Sequence, residues 1–190
     1  MKTLWISLKF LFFFTLLTGI LYPLLITGIG LAFFPKQSGG SLLSKNGKYA
    51  GSVLIGQEFH DQRYFFSRPS AVSYNPLPSG ASNYSVTSRD LAKLVHERQL
   101  EFTVGNGLDS LYSVPPDMLF ASGSGLDPQI SPSSAMLQLE RVARVRQFSK
   151  EQRQKILVLI DSLTESPQFI CLGEPRINVL LLNLETDKIQ

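Results

Sequence analysis

Cysteine, histidine and tryptophan are nearly missing from these 190 residues: one Cys, two His and one Trp. The single thiol, Cys171, excludes an internal disulfide framework and any multi-thiolate metal site, and it leaves the redox compartment undecided. His60 and His96 lie too far apart in sequence for an H-E-x-x-H zinc helix. Charge is sparse as well. Setting aside Lys2 and Lys9 leaves 16 Lys and Arg against 15 Asp and Glu, so the remainder is close to neutral and offers no basic stripe for nucleic acid. The chain contains no Gly-x-Ser-x-Gly elbow, no Gly-Lys-Ser/Thr triplet of a phosphate loop, and no internal repeat.

Against that background stands one long run without charge, the 25 residues from Phe10 to Phe34. At about 1.5 Å per residue this run outreaches a hydrocarbon core of roughly 30 Å, and it is too long for the apolar region of a signal peptide. It predicts one spanning helix over 10–34, behind a short tail over 1–9. Pro23 falls in mid-span and predicts a kink, because proline lacks the amide hydrogen and disfavours a helical residue before it. Gly19, Gly28 and Gly30 are places where partner helices can approach closely. Lysines on the two sides nearly balance, but a short tail that stays inside while a long domain crosses is mechanically simple. The expected topology is therefore a cytoplasmic N-terminus and an extracytoplasmic soluble domain.

Pro35 to Ala50, with Gly-Gly and serines, reads as a juxtamembrane linker, and the soluble domain is expected over 51–190. Short β-rich runs at Ser52–Gln57 and Tyr64–Phe66 predict strands, with Phe65 and its neighbours in the core. Asn75 to Ser85 predicts a loop. Ser88 and Asp90 start a helix expected to reach about Glu101; Ser131-Pro132 start one to about Gln147; Ser149 with Gln152 forms a capping box for one over 150–163. The apolar run Ile177 to Leu184 predicts a buried strand. Separated strands and helices give a mixed α/β composition of the α+β class.

The most distinctive chemistry lies in Ala121-Ser122-Gly123-Ser124-Gly125-Leu126-Asp127-Pro128-Gln129-Ile130-Ser131-Pro132. Ser122, Gly123, Ser124, Gly125, Asp127 and Gln129 are the candidates for contact with a nucleotide or a partner, since backbone amides in a Gly-rich turn can cradle an anion. The competing reading is a backbone turn in which the glycines take positive φ. A tethered hydrolase built from Ser124, Asp127 and His60 or His96, or a ligand-binding domain using the same turn, is the alternative function. Thr103-Val104-Gly105-Asn106-Gly107 resembles a potassium filter at four of five positions, but it follows His96-Glu97-Arg98 outside the apolar span and reads as a turn. Arg68, Glu174 and Arg176 can form either a partner-facing charge cluster or an internal ion pair.

Three blocks, Tyr64-Phe65-Phe66-Ser67-Arg68-Pro69-Ser70-Ala71, the Ser122–Pro132 turn and Gly173-Glu174-Pro175-Arg176-Ile177-Asn178-Val179-Leu180, occur in an order that closely resembles the C subunit of Kdp-type potassium-transporting P-type ATPases. Gln129 stands where that family commonly has histidine, and Ser79 to Ser85 replaces a more glycine-rich stretch. The resemblance implies a non-catalytic accessory subunit in a bacterial inner membrane. Its implied partners are the lipid bilayer, a catalytic P-type ATPase subunit and a potassium-channel-like subunit, with no nucleic acid. It further implies stabilisation of the assembly and a raised affinity of the catalytic subunit for ATP, with no tightly bound cofactor of its own. The P-type phosphorylation motif Asp-Lys-Thr-Gly-Thr is absent, since the one Asp-Lys pair, Asp187-Lys188, continues with Ile189.

Overall fold

The computed structural model describes residues 1–45, 47–109 and 111–189 and divides into two compact units, Met1–Ser52 and a second beginning at Val53. In the first, an unbroken helical segment runs from Lys2 to Phe33, long and apolar enough to cross a membrane and with none of its residues buried within the chain. It consists of α1 (Lys2–Leu16), a π-helical turn (Leu17–Leu21) and α2 (Tyr22–Phe33). The π turn is the local answer to Pro23, which cannot donate to the carbonyl four residues back and crowds it. The Tyr22 amide reaches Leu17 O, five residues back. Thr18 Oγ1 donates to Phe14 O at 2.7 Å and Thr27 Oγ1 to Pro23 O at 2.8 Å, so side chains contribute bonds where backbone geometry is disturbed.

The stretch expected as a plain linker is more structured than its composition suggests. It holds a single helical turn, α3 (Pro35–Ser38), and a hairpin of β1 (Leu42–Lys45) with β2 (Lys48–Ser52), irregular between Leu43 and Ser44. Gly40 takes φ 80° ahead of β1, and Ser52 Oγ donates to its carbonyl at 2.7 Å, tying the end of β2 to the entry of β1.

The second unit is α+β with helices dominant: α4 (Arg89–Asn106), α5 (Pro116–Leu119), β3 (Gln129–Ile130), α6 (Pro132–Val145), α7 (Lys150–Leu163), β4 (Ile177–Asn178) and α8 (Val179–Thr186). Local chemistry sets the starts. Ser88 accepts from Leu91 N, Ser131 accepts from Ser134 N ahead of Pro132, and Ser149 with Gln152 forms the reciprocal capping box; each such cap contributes about 0.5–2 kcal/mol. Helix α4 continues past Glu101 to Asn106, where Gly107 at φ 69° closes it in the left-handed region. The filter-like pentapeptide is thus a helix end. Phe102, Leu139, Val142, Ile156, Ile160, Ile177 and Leu182 form the centre of the core, together with the fully buried Phe65.

Three expected strands are corrected. Ser52–Gln57 and Tyr64–Phe66 pair with no strand; only Ser52 belongs to one, the end of β2, and residues 53–88 contain neither helix nor ladder. The Tyr64–Phe66 segment satisfies its backbone by other means. Asn183 accepts from Phe65 N at 2.8 Å and donates to Phe65 O at 2.9 Å, while Gln138 accepts from Phe66 N at 2.7 Å and donates to Phe66 O at 3.3 Å. Two side-chain amides on helices thereby do the work of a neighbouring strand. The run Ile177 to Leu184 is a strand for only two residues, pairing Ile177 with Ile130 and Asn178 with Gln129. Asn178 then accepts from Leu181 N and caps α8. An apolar run that short does not by itself distinguish strand from buried helix, and the capping asparagine decides it.

Candidate functional site

The Ser122–Pro132 turn lies against the irregular segment 53–80. Gly56 N donates to Leu126 O at 2.7 Å, Gly80 N to Ser124 O at 3.0 Å, Ser122 N to Pro69 O at 3.2 Å, and Ser70 Oγ to Gly125 O at 2.7 Å. Asp127 works on two sides. One oxygen accepts from its own chain at Gln129 N (3.0 Å) and the other from Arg68 Nη1 at 2.7 Å, with both side chains about a quarter exposed. Beyond Asp127 the chain enters β3, Pro128 O accepts from Val179 N at 2.9 Å, and Asn178 Nδ2 donates to Val53 O at 2.8 Å. The turn therefore ties the early segment to the last strand and helix.

The two glycines differ. Gly125 is buried at φ 69°, and a Cβ there would stand 2.5 Å from Val72 Cγ2 and 2.8 Å from Gly80 O. Gly123 is exposed, lies outside the positive-φ set, and a Cβ there would meet nothing within 4 Å. Gly56, which the sequence did not single out, allows a second close approach, because a Cβ would come within 2.6 Å of Asp127 O. As an anion cradle the turn is heavily committed. The amides of Ser122, Gly125, Leu126 and Gln129 already donate to Pro69 O, Ser122 O, Ser124 Oγ and Asp127 Oδ1. Ser122 is 3% exposed, whereas Ser124 is at the surface and Gln129 half-buried at the start of β3.

Among the described residues no hydrogen bond or ion pair joins Ser124 or Asp127 to either histidine; His60 Nε2 instead faces Glu58 at 3.3 Å. The hydrolase constellation is not assembled. The proposed charge cluster also divides. Arg68 pairs with Asp127, Arg176 pairs with Glu165 at 3.0 Å, and Glu174 is exposed. In the anchor, Gly19 lies in the π turn and Gly28 and Gly30 in α2, with Pro23 at the start of that helix.

Beside the turn, segment 58–74 and the C-terminal half of α4 line an open pocket of about 620 Å³. Phe66, Phe102 and Met118 supply apolar wall, Arg68 and Arg98 supply positive charge, and Tyr74 closes one side. Arg98 Nη1 donates to Leu119 O at 2.8 Å, and Tyr74 donates its hydroxyl to Arg68 O. Burial pushes that hydroxyl up to about 12. Arg68 Nε is buried without a hydrogen-bond partner. Among the described residues, the lining hydroxyls of Ser67 and Ser70 donate to Gln57 O and Gly125 O rather than to His60, which faces Glu58.

The polar residues that organise this region, Gln138, Arg141 and Asn183, escaped sequence reasoning. Arg141 is 1% exposed and donates to Asn106 Oδ1, Gln62 O, Tyr64 O and Gln138 Oε1, with its guanidinium 4.0 Å from the centre of the Phe66 ring. A lone Asn in Leu180-Leu181-Leu182-Asn183-Leu184 was the available signal, since a polar residue amid such a run needs a buried partner.

Compared with known proteins, residues 4–188 match the family described as KdpC, the c chain of the K+-transporting ATPase. The protein named potassium-transporting ATPase KdpC subunit in Geotalea uraniireducens (strain Rf4) is 44% identical over 199 aligned positions, covering 100% of this chain and 99% of its own length. The protein of that name in Leptospira interrogans is 48% identical over 182 positions, with 96% and 92% coverage, and the one in Methylococcus capsulatus is 44% identical over 187, with 97% and 96%. A match that takes in the apolar helix, the Ser122–Pro132 turn and the α8 region together places the chain in the KdpC family of K+-transporting ATPase c chains.

Proposed function

We propose that this chain is a non-catalytic, membrane-anchored accessory subunit of an ATP-driven potassium uptake pump, stabilising the assembly of a catalytic P-type ATPase subunit with a potassium-channel-like subunit. The observation that carries the reading is the family match over residues 4–188. The sequence agrees with it: a phosphorylation motif is absent, and one bilayer-length helix cannot enclose an ion path, which forms between helices. Gly19, Gly28 and Gly30 offer backbone approach to partner helices, and the second unit supplies the surface for contacts outside the membrane.

The orientation that fits is N-terminus in, with residues 51–190 outside. Protease added to intact spheroplasts is then expected to degrade this chain down to its anchor; full resistance, with cleavage only after lysis, would reverse the topology. An effect on ATP affinity follows from the same reading without nucleotide contact. A subunit that binds one conformational state of the pump more tightly shifts the population, and linkage carries that preference to the nucleotide site. Ending the chain at Pro35 separates the anchor's role from that of the rest. A pump carrying only the anchor is expected to lose at least tenfold in potassium-stimulated ATPase activity per recovered catalytic subunit. Wild-type assembly and transport without residues 36–190 would remove any role for the second unit.

A further inference from the structure

Between α7 and β4 the chain makes a hairpin turn whose tip is apolar and exposed. From Gln168 to Gly173 there is no charge, and Phe169, Ile170 and Leu172 are 85%, 93% and 58% exposed, with Cys171 exposed among them. Scattered apolar residues on a surface need no explanation, but adjacent ones on a preset turn do. The turn is well built. Gln168 and Leu172 exchange both backbone hydrogen bonds at 2.9 Å, and Ile170 N donates to Pro167 O at 3.1 Å. Behind them Glu165 and Arg176 exchange backbone bonds at 2.8 and 3.1 Å and close an ion pair at 3.0 Å. Phe169 and Ile170 nevertheless sit at φ 51° and 71°, in the left-handed region that glycine or asparagine would occupy at least cost and that a β-branched residue occupies at most. Neither backbone preference nor core packing explains large apolar side chains at these two positions.

We propose that Phe169, Ile170 and Leu172 are an anchor that seats in an apolar pocket on another subunit of the pump, rimmed by positive charge opposite Glu174. The inference rests on the accessory-subunit reading above. Three observations favour a protein pocket. Loops that dip into a bilayer carry flanking Lys or Arg for the anionic headgroups, whereas no cation lies between Gln168 and Pro175, and the nearest, Arg176, is paired with Glu165. Glu174 is exposed and no ion pair among the described residues neutralises it, which disfavours an anionic surface and equally disfavours a second copy of this chain, where two such carboxylates would meet across a two-fold axis. Finally, a fluid bilayer accepts any apolar loop, while a shaped pocket rewards one held in advance in its bound form.

Cys171 is the sole cysteine and lies within the tip, so the natural chain carries its own probe. The rate at which a water-soluble fluorescent maleimide labels this chain's band is compared in membranes containing the chain alone and in membranes containing the complete pump. Labelling at least tenfold slower in the pump is expected. The double variant Phe169→Ser, Ile170→Ser should restore fast labelling and lower recovery of the other subunits about tenfold; its thermal unfolding should match that of the parent, because neither side chain belongs to the core. Glu174→Arg, which leaves the tip intact, should weaken recovery as well. Equal labelling in both membranes overturns the proposal, and protection of Cys171 in membranes holding the chain alone overturns it in favour of the bilayer. If the chain recovers no other subunit, the accessory-subunit reading fails and takes this inference with it; recovery with Cys171 fully reactive defeats the anchor only.

Discussion

Replacing Arg141 by methionine is expected to lower the unfolding free energy by about 3–5 kcal/mol, a large share of the roughly 5–15 kcal/mol that keeps a domain folded. The reason is the set of acceptors it would abandon. Arg141 is buried with no carboxylate partner among the described residues, and its charge is dispersed over two backbone carbonyls, Gln62 O at 2.5 Å and Tyr64 O at 3.0 Å, two side-chain amides, Asn106 Oδ1 and Gln138 Oε1, both at 2.9 Å, and the face of Phe66. Burial pushes the guanidinium down to about 10, so it remains charged at neutral pH despite the desolvation. A methionine of similar volume removes the desolvation cost but takes the donor from Gln62 O, Tyr64 O and Asn106 Oδ1, while Gln138 Oε1 keeps Phe66 N, and each buried orphan costs about 1–3 kcal/mol. Lysine keeps the charge and offers three donors without the planar fork, so Arg141→Lys should fall between the two. Chemical denaturation of the full-length chain in detergent, followed by helical signal, reads all three. A methionine variant as stable as the parent would mean that the charge burial costs as much as its hydrogen bonds return, and that Arg141 does not hold the irregular segment in place.

That segment also explains where sequence patterns stop being informative. Helix starts were legible because their signal is local: Ser88, Ser131-Pro132 and the Ser149–Gln152 box act on amides three residues away, and all three caps form. Phe65 was legible as core for the same kind of reason, its apolarity. The mode by which residues 64–66 are held was not, because their ladder partners are Asn183 and Gln138, 118 and 72 residues further along, and no period of two announces a strand completed by side chains. The Ile177–Leu184 run failed differently. Apolarity predicted its burial, while the single capping contact from Asn178 turned most of it into helix. At the candidate site, Ser122–Gln129 was recognisable as unusual, but which residue faces which depended on a pairing between Arg68 and Asp127 that nothing near either residue encodes.

Gly125→Ala and Gly123→Ala separate the two readings of the Ser122–Gln129 turn, and the first is expected to cost about 2–4 kcal/mol while the second stays within about 0.5 kcal/mol of the parent. At Gly125 two penalties add. An alanine there must hold φ 69°, which costs an L-residue roughly 1–2 kcal/mol, and its Cβ would overlap Val72 Cγ2 at 2.5 Å and the backbone Gly80 O at 2.8 Å. The carbonyl is the harder obstacle, since Gly80 is itself bonded through its amide to Ser124 O at 3.0 Å and cannot retreat without breaking that link. At Gly123 the space is open and φ imposes no penalty. A turn whose purpose is to join segment 53–80 to β3 and α8 therefore tolerates a methyl group at Gly123, both in stability and in potassium-stimulated ATPase activity of the assembled pump. A turn that wraps an anion with its backbone needs open approach at Gly123 as well, so a Gly123→Ala chain that folds and assembles normally but loses activity would return the turn to the list of ligand sites. Gly125→Ala should lose assembly in proportion to its lost stability, and normal stability for that variant would show that the packing of Val72 and Gly80 against the turn is not what holds the early segment to the last helix.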